Sequence, residues 1–599
     1  MPDEEKDFMK KTASIFPVFL AFVLFSCSGS PGGIDANGHE GNGGRIYGGV
    51  LHLNETERFH TLYPYNLTDI ISYNIAGQVY EGLVRFNPRN ITEIKPSLAD
   101  SWTIDPSGLI YTFKLKKEVH FQDDPCFPEG KGREVTAADF IYSFQMLCTQ
   151  SADNQLFNGT FRDRVKGANE YFAESENGKP TMCISGLTAI DEHTLQITLT
   201  APSSSFLYIL ASPGCFVVAH EGIEKYGNKL KFGTGPFIIT NGDIKAEKTY
   251  LVRNKNYHGT DSLGNKLPFL DTIMVTFLPT KSKELEAFKN SELDVVFGLP
   301  SESISEMVEQ QIKDFRNKPP KYMLDRTPEL ATQYYEFNMT KPPFNNIKVR
   351  QAFNYAINRE KIIETILNGE AYGPGIYGIC PQSLIGYDVT KIKGYNFDPA
   401  KAKKLLAEAG YPEGKNFPTI TIEVNSGGSK NSKVVEEIKN QLESTLKINV
   451  LYNVVPFGQK LEDSRFARGA DIFRTSWIAD YPSPENFLFV LYGKIVPDSI
   501  SKPSFPNVPR YKNAEYDKYF EAGKASLNKE ESYSYFLKAE QIMMDESPVI
   551  ILWHDENLKL AQSYVKNFHF NPMNYRNFSE VYLKKDAKDP EKKEEGKGN

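Results

Sequence analysis

Two hydrophobic periods share this chain from end to end, and together they constrain its fold more than any other feature. Tyr111–Lys116 and Thr194–Thr200 alternate apolar and polar residues, the pattern of half-buried strands. Tyr250–Arg253, Leu270–Phe277 and Thr419–Val424 read the same way. Between them lie segments of helical spacing: Ala137–Leu147, Val349–Leu367, Pro399–Ala409, Lys433–Leu446 and Glu530–Glu546. Thr136 is placed to cap the first, Asp398 with Pro399 opens the third, and Gly410 ends it. The mixture predicts an α/β body without strict strand–helix alternation, and no internal repeat is present.

At roughly 100–200 residues per domain, 599 residues predict about two to four domains with a core that needs no disulfide framework. A net charge of −7 and a pI near 5.9 argue against a nucleic-acid partner, which requires a basic surface. The 40 Phe and 32 Tyr, against 3 Trp, suit either many strands or a large concave pocket, and composition does not choose.

Only one apolar run is long enough to concern a membrane. Lys10 and Lys11 precede the uncharged stretch 12–26, which ends at Cys27. This is the layout of a secretion signal, and it falls short of the about 20 residues of a spanning helix. The acidic stretch 2–7 is unlike a signal, so Met9 is the expected start. Leu24-Phe25-Ser26-Cys27 resembles the lipobox of bacterial lipoproteins, with Phe25 bulkier than usual, and implies lipidation of Cys27. The Gly/Ser/Asn-rich stretch 28–44 then reads as a flexible tether, and the Lys/Glu-rich 584–599 as a disordered tail.

The six cysteines fall at 27, 126, 148, 183, 215 and 380. With Cys27 lipidated, an odd number remains, so at least one thiol is left without an intramolecular partner and the pairing is open. There is no CxxC, HExxH or other metal-ligand spacing, and no GxSxG. Gly233-Thr234-Gly235-Pro236-Phe237 lacks the Gly-Lys-Ser/Thr of a phosphate loop. The residues therefore point to no catalysis, no cofactor and no metal.

Several separated segments resemble the solute-binding proteins of bacterial ABC importers, family 5, the oligopeptide and dipeptide binders. They are Val79-Tyr80-Glu81-Gly82-Leu83-Val84, Ile94–Trp102, Thr136–Phe144, Gly233–Phe237, Leu251–Tyr257, Leu267–Ile273, Val349–Arg359 and Ala402–Tyr411, in the family's order. Departing from the family's Phe-x-Asp-Gly turn, Phe121-Gln122-Asp123-Asp124-Pro125 leads into an insertion reaching Arg133. The resemblance implies a two-lobe, periplasmic-binding-protein-like α/β fold with a hinge, one lobe carrying an extra subdomain. Lobe I would combine 45–92, 188–330 and 554–583, with the subdomain at 93–187. Lobe II would be 331–553, joined by strands crossing near 330 and 553. Closure over a ligand would then be a hinge motion.

The segment Asp471–Pro482 resembles the part of oligopeptide binders whose Trp-x-Ala-Asp-Tyr holds a peptide's α-ammonium group. The resemblance places that role on Asp480, with Trp477 walling the cleft and Ser476 and Ile478 along a strand that offers its backbone to an extended peptide. Arg474 and Arg465 match arginines facing the cavity, and Glu81 matches a carboxylate beside a side-chain pocket on the opposite lobe. Tyr334, Tyr335 and Phe337 read as strand core more readily than as pocket wall. The implied protein is a monomeric, lipid-anchored binder of short peptides outside the cytoplasm, delivering them to a permease and ATPase complex. The alternatives are the same fold holding an oligosaccharide, an opine, haem or a nickel chelate, or a receptor or adhesin built on it.

Overall fold

The computed structural model describes residues 39–584, apart from 179, 241–244, 301–302, 315–319 and 427–428. The signal, Cys27 and, but for Lys584, the tail lie outside the described residues. Of the stretch 28–44 expected to be a tether, 28–38 lie outside the described residues, while 40–44 belong to ordered structure. Glu40–Gly41 pairs with Arg45–Ile46, and the Asn42 amide donates to Asn265 Oδ1 at 2.7 Å.

The chain enters a first sheet with β1 (Val50–Asn54), forms α1 (Ile70–Ala76), and leaves to build a second sheet. There β2 (Ala99–Ile104), β3 (Ile110–Leu115), β4 (Leu187–Asp191) and β5 (Thr194–Thr198) pair in the order β2-β3-β5-β4, all antiparallel. Helix α2 (Ala137–Leu147) belongs to this part, its start fixed by Asp139, which accepts from the Thr136 amide at 2.9 Å. The chain then returns to the first sheet as β6 (Phe237–Ile239), β7 (Lys248–Arg253) and β8 (Thr272–Thr276), giving the order β6-β7-β8-β1.

The third sheet is built mainly from β9 (Tyr322–Phe337), β10 (Ile420–Asn425), β11 (Val450–Val455), β12 (Ile472–Ile478) and β13 (Val549–Gln562). Its order is β13-β9-β12-β10-β11, mixed in direction, with short edge pairs at Val295–Val296 and Gly373–Pro374. The long strands β9 and β13 run antiparallel from Tyr322 opposite Gln562 to Glu336 opposite Val549. Their register shifts between Pro328 and Thr332 and again between Gln333 and Tyr334, as bulges do. Tyr334, Tyr335 and Phe337 are strand core, each under 3 % exposed.

One expected helix divides. Val349–Leu367 is two helices, Ile347–Ala356 and Arg359–Thr365, because Ile357 is extended. The Asn358 side chain caps the second by accepting from the Lys361 amide at 2.9 Å, and polar capping at that step outweighs continued helical spacing. Most of the aromatic excess is core: Tyr65, Tyr80, Tyr111, Phe113, Phe140 and Phe144 are all at most 2 % exposed.

Candidate functional site

Strand β12 pairs with β9 along its whole length, from Ala331 opposite Ile478 to Phe337 opposite Ile472. With β10 it pairs only at Ile472 and Phe473. Beyond Phe473, among the described residues, the other edge of β12 carries no ladder, so backbone groups of Arg474–Ile478 face outward. Strand alternation puts Arg474, Ser476 and Ile478 on one face and Trp477 on the other.

Directly after this strand, Asp480 is held by the short helix α3 (Pro484–Leu488). Buried Asn486 on that helix accepts from the Asp480 amide at 3.1 Å and donates to Asp480 Oδ2 at 3.1 Å. The same Asn486 oxygen accepts from Trp477 Nε1 at 2.8 Å, so one amide orients both side chains. Asp480 is reached by water yet sits deep in protein surroundings, and this burial raises its carboxyl pKa, with the Asn486 hydrogen bond opposing. Among the described residues no cationic side chain pairs with it. From the other side Tyr73, on α1, feels its field: burial first, then the ring of Tyr575 and Asp480, push the Tyr73 hydroxyl well up. The Tyr73 and Tyr575 rings lie 6.3 Å apart.

The other sequence-derived candidates fall in three places. Arg465 lies with its guanidinium 4.5 Å from the Phe505 ring, which is itself 6.4 Å from Trp477, so Arg465 joins the Trp477 side. Arg474 belongs to the opposite face, donating to Gln333 Oε1 at 2.5 Å and Asn425 Oδ1 at 3.2 Å. Gln333 in turn donates to Asp555, which also accepts from Trp553 Nε1 at 2.8 Å. Glu81 is in a separate cavity and its oxygens are already engaged. It accepts from Ser97, Thr234 and Tyr257 and lies 2.9 Å from His258 Nε2. Burial would raise its pKa, but His258 and these donors hold it low. Tyr73, Asn486, Asp555 and Tyr575 carried no signal in the sequence, since only folding brings them to the strand.

The family model for bacterial extracellular solute-binding proteins, family 5, matches residues 93–495. Heme-binding protein A of Haemophilus influenzae is 28 % identical over 522 residues, spanning 85 % of this chain and 87 % of that protein. The periplasmic oligopeptide-binding protein OppA of Escherichia coli is 26 % identical over 540 residues, 87 % and 89 % of the two chains. The Helicobacter pylori periplasmic binding protein DppA, solved with the peptide STSA, superposes with a TM-score of 0.75 at 27 % identity, covering 90 % of this chain and 99 % of that one. The three sheets thus form the two-lobe α/β fold of periplasmic binding proteins. This chain belongs to the bacterial extracellular solute-binding proteins, family 5, the binding components of ABC importers.

Proposed function

We propose that this protein captures short peptides with a free amino terminus in the cleft beside β12 and hands them to an ABC permease and ATPase complex. The observation that carries the reading is Asp480: a carboxylate without a counter-cation among the described residues, fixed by Asn486 at the end of a strand with an open edge. An ammonium group supplies the missing charge and up to three donors. An extended peptide laid along 474–478 pairs its backbone with the open edge, which gives affinity without dictating side chains. Lobe I is 45–92, 188–330 and 554–583 with the subdomain 93–187, and lobe II is 331–553. The register shifts in β9 and β13 are where we place the hinge. The chain performs no reaction on its ligand.

Anchoring through lipidated Cys27, at the periplasmic or extracytoplasmic face of a membrane, belongs to the same reading. Replacing Cys27 by Ala should release the protein in soluble form.

Mass spectrometry of ligand carried through native purification tests the ligand class. Calorimetry then compares Ala-Ala-Ala with its N-acetylated form, and equal affinity would remove Asp480 from its assigned role. A second reading, haem, is favoured by the similarity to heme-binding protein A. A Soret shift on titrating haem, with no peptide recovered, would establish it instead.

A further inference from the structure

A cavity of about 510 Å³ lies between the second sheet and the first lobe, with Glu81, Arg85, Asp100, Lys116, Lys117 and His258 in its wall. Judged by Glu81, this pocket would take a basic side chain. The structure reverses that sign. The Glu81 charge is turned inward, shared among three hydroxyl donors and the His258 ring, so it offers little to a guest.

The cations are differently placed. Arg85 makes one long hydrogen bond, Nε to the Pro96 carbonyl at 3.4 Å, and no carboxylate is at ion-pair distance from its guanidinium among the described residues. Burial would lower its pKa, but Tyr257, Tyr575 and the more distant charges of Glu81 and Glu580 outweigh that and raise it. Lys116 is half-buried, and burial lowers its pKa although Glu81 and Asp100 oppose. Lys117 is exposed at the mouth. The cavity is tied to the peptide cleft through Tyr575, which feels Arg85 and Glu81 and stands 6.3 Å from Tyr73, the ring that feels Asp480.

We propose that this cavity is a subsite for a carboxylate-bearing side chain of the bound peptide, held by Arg85 and Lys116. The inference rests on the peptide reading above. A guanidinium and an ammonium that no carboxylate contacts at ion-pair distance among the described residues keep donors for an entering carboxylate, give it charge-assisted, forked hydrogen bonds, and replace its lost hydration. A basic side chain would instead meet two like charges.

Calorimetry with Ala-Glu-Ala against Ala-Gln-Ala, and Ala-Ala-Glu-Ala against Ala-Ala-Gln-Ala, tests it. The wild-type protein should favour Glu over Gln by about tenfold in one of the two pairs, the scale of one charge-assisted contact. In R85Q and K116Q that ratio should fall toward one; the ratio is the readout, so a general weakening cancels. The preference should survive amidation of the peptide carboxyl terminus. Equal wild-type affinities in both pairs would overturn the inference alone. So would a preference that disappears on amidation, which would mean that the C-terminal carboxylate fills the cavity. Failure of every free-amine peptide to bind, the Gln peptides included, would overturn the peptide reading and this inference with it.

Discussion

Arg164 Nη2 and Glu485 Oε1 are 2.8 Å apart, with side chains only 5 % and 0 % exposed. The pair joins the expected subdomain to the helix that positions Asp480, so a contact remote from the ligand helps set the cleft. Burial alone would raise the Glu485 pKa, but Arg164, Lys524 and hydrogen bonds from Ser205 and Arg164 outweigh it and hold it low.

Removing one partner leaves the other charge buried and uncompensated. Glu485→Gln should therefore destabilise the protein by about 3–5 kcal/mol, measured as a fall in Tm or in denaturant midpoint. The double replacement Arg164→Met with Glu485→Leu should cost less than the sum of the single changes. Because the folded pKa of Glu485 is depressed, its contribution is present above the ordinary carboxylate value and lost as pH falls through the folded value. Wild type should lose stability on acidification more steeply than Glu485→Gln.

Asp480→Asn keeps the shape and hydrogen bonding of the side chain while deleting its charge. Affinity for free-amine peptides should drop by about 2–5 kcal/mol, with N-acetylated peptides little affected. Acid should mimic the substitution in the wild-type protein, since protonation of a carboxyl whose pKa is raised removes the same charge. A peptide affinity that is flat with pH while Asp480→Asn is weak would argue that the residue acts by shape.

Asn486→Ala removes the amide that holds both Asp480 and Trp477. Peptide affinity should fall by about 1–3 kcal/mol, the cost of stranding such groups. Trp477 fluorescence should change in the unliganded protein as well, separating a positioning effect from direct contact.

Glu540 is fully buried, accepting from the Cys380 amide at 2.8 Å and from the Tyr387 hydroxyl at 2.6 Å. Burial pushes its pKa up to about 7, against those hydrogen bonds. The folded state therefore holds a proton that the unfolded state gives up near pH 4.3. Stability from this group is complete below that value and is lost as pH rises through about 7. Glu540→Gln should flatten the stability profile across this window, measured by urea unfolding at several pH values.

The five cysteines after Cys27 are all free thiols: Cys183 is exposed, Cys126 half-buried, and Cys148, Cys215 and Cys380 buried. Burial and the Asp124 carboxylate push the Cys126 thiol up to about 12. A thiol reagent at neutral pH should react quickly with Cys183 in the native protein and reach the others only on unfolding. Fast reaction of several thiols without denaturant would contradict the packing.

Local chemistry wrote the elements into the sequence. Thr136 with Asp139, Asp398 with Pro399, and the alternation of Tyr111–Lys116 act over a few residues, and each element stands close to where its pattern places it. Asp480 and Trp477 were legible as candidates because the short run that holds them resembles the peptide-holding segment of oligopeptide binders, and the structure joins them through Asn486. What the sequence could not determine is charge balance in space. Glu81 reads as an available carboxylate until Thr234, Tyr257 and His258, far along the chain, converge on it. Arg85, four residues further on, then decides the sign of the cavity. Arg474 and Trp477 were both implied to face the cavity, but the strand's two-residue period sends them to opposite faces. Local hydrogen bonds and side-chain period fix elements from sequence alone; electrostatics sums over whatever folding brings near, and only the tertiary structure supplies that list.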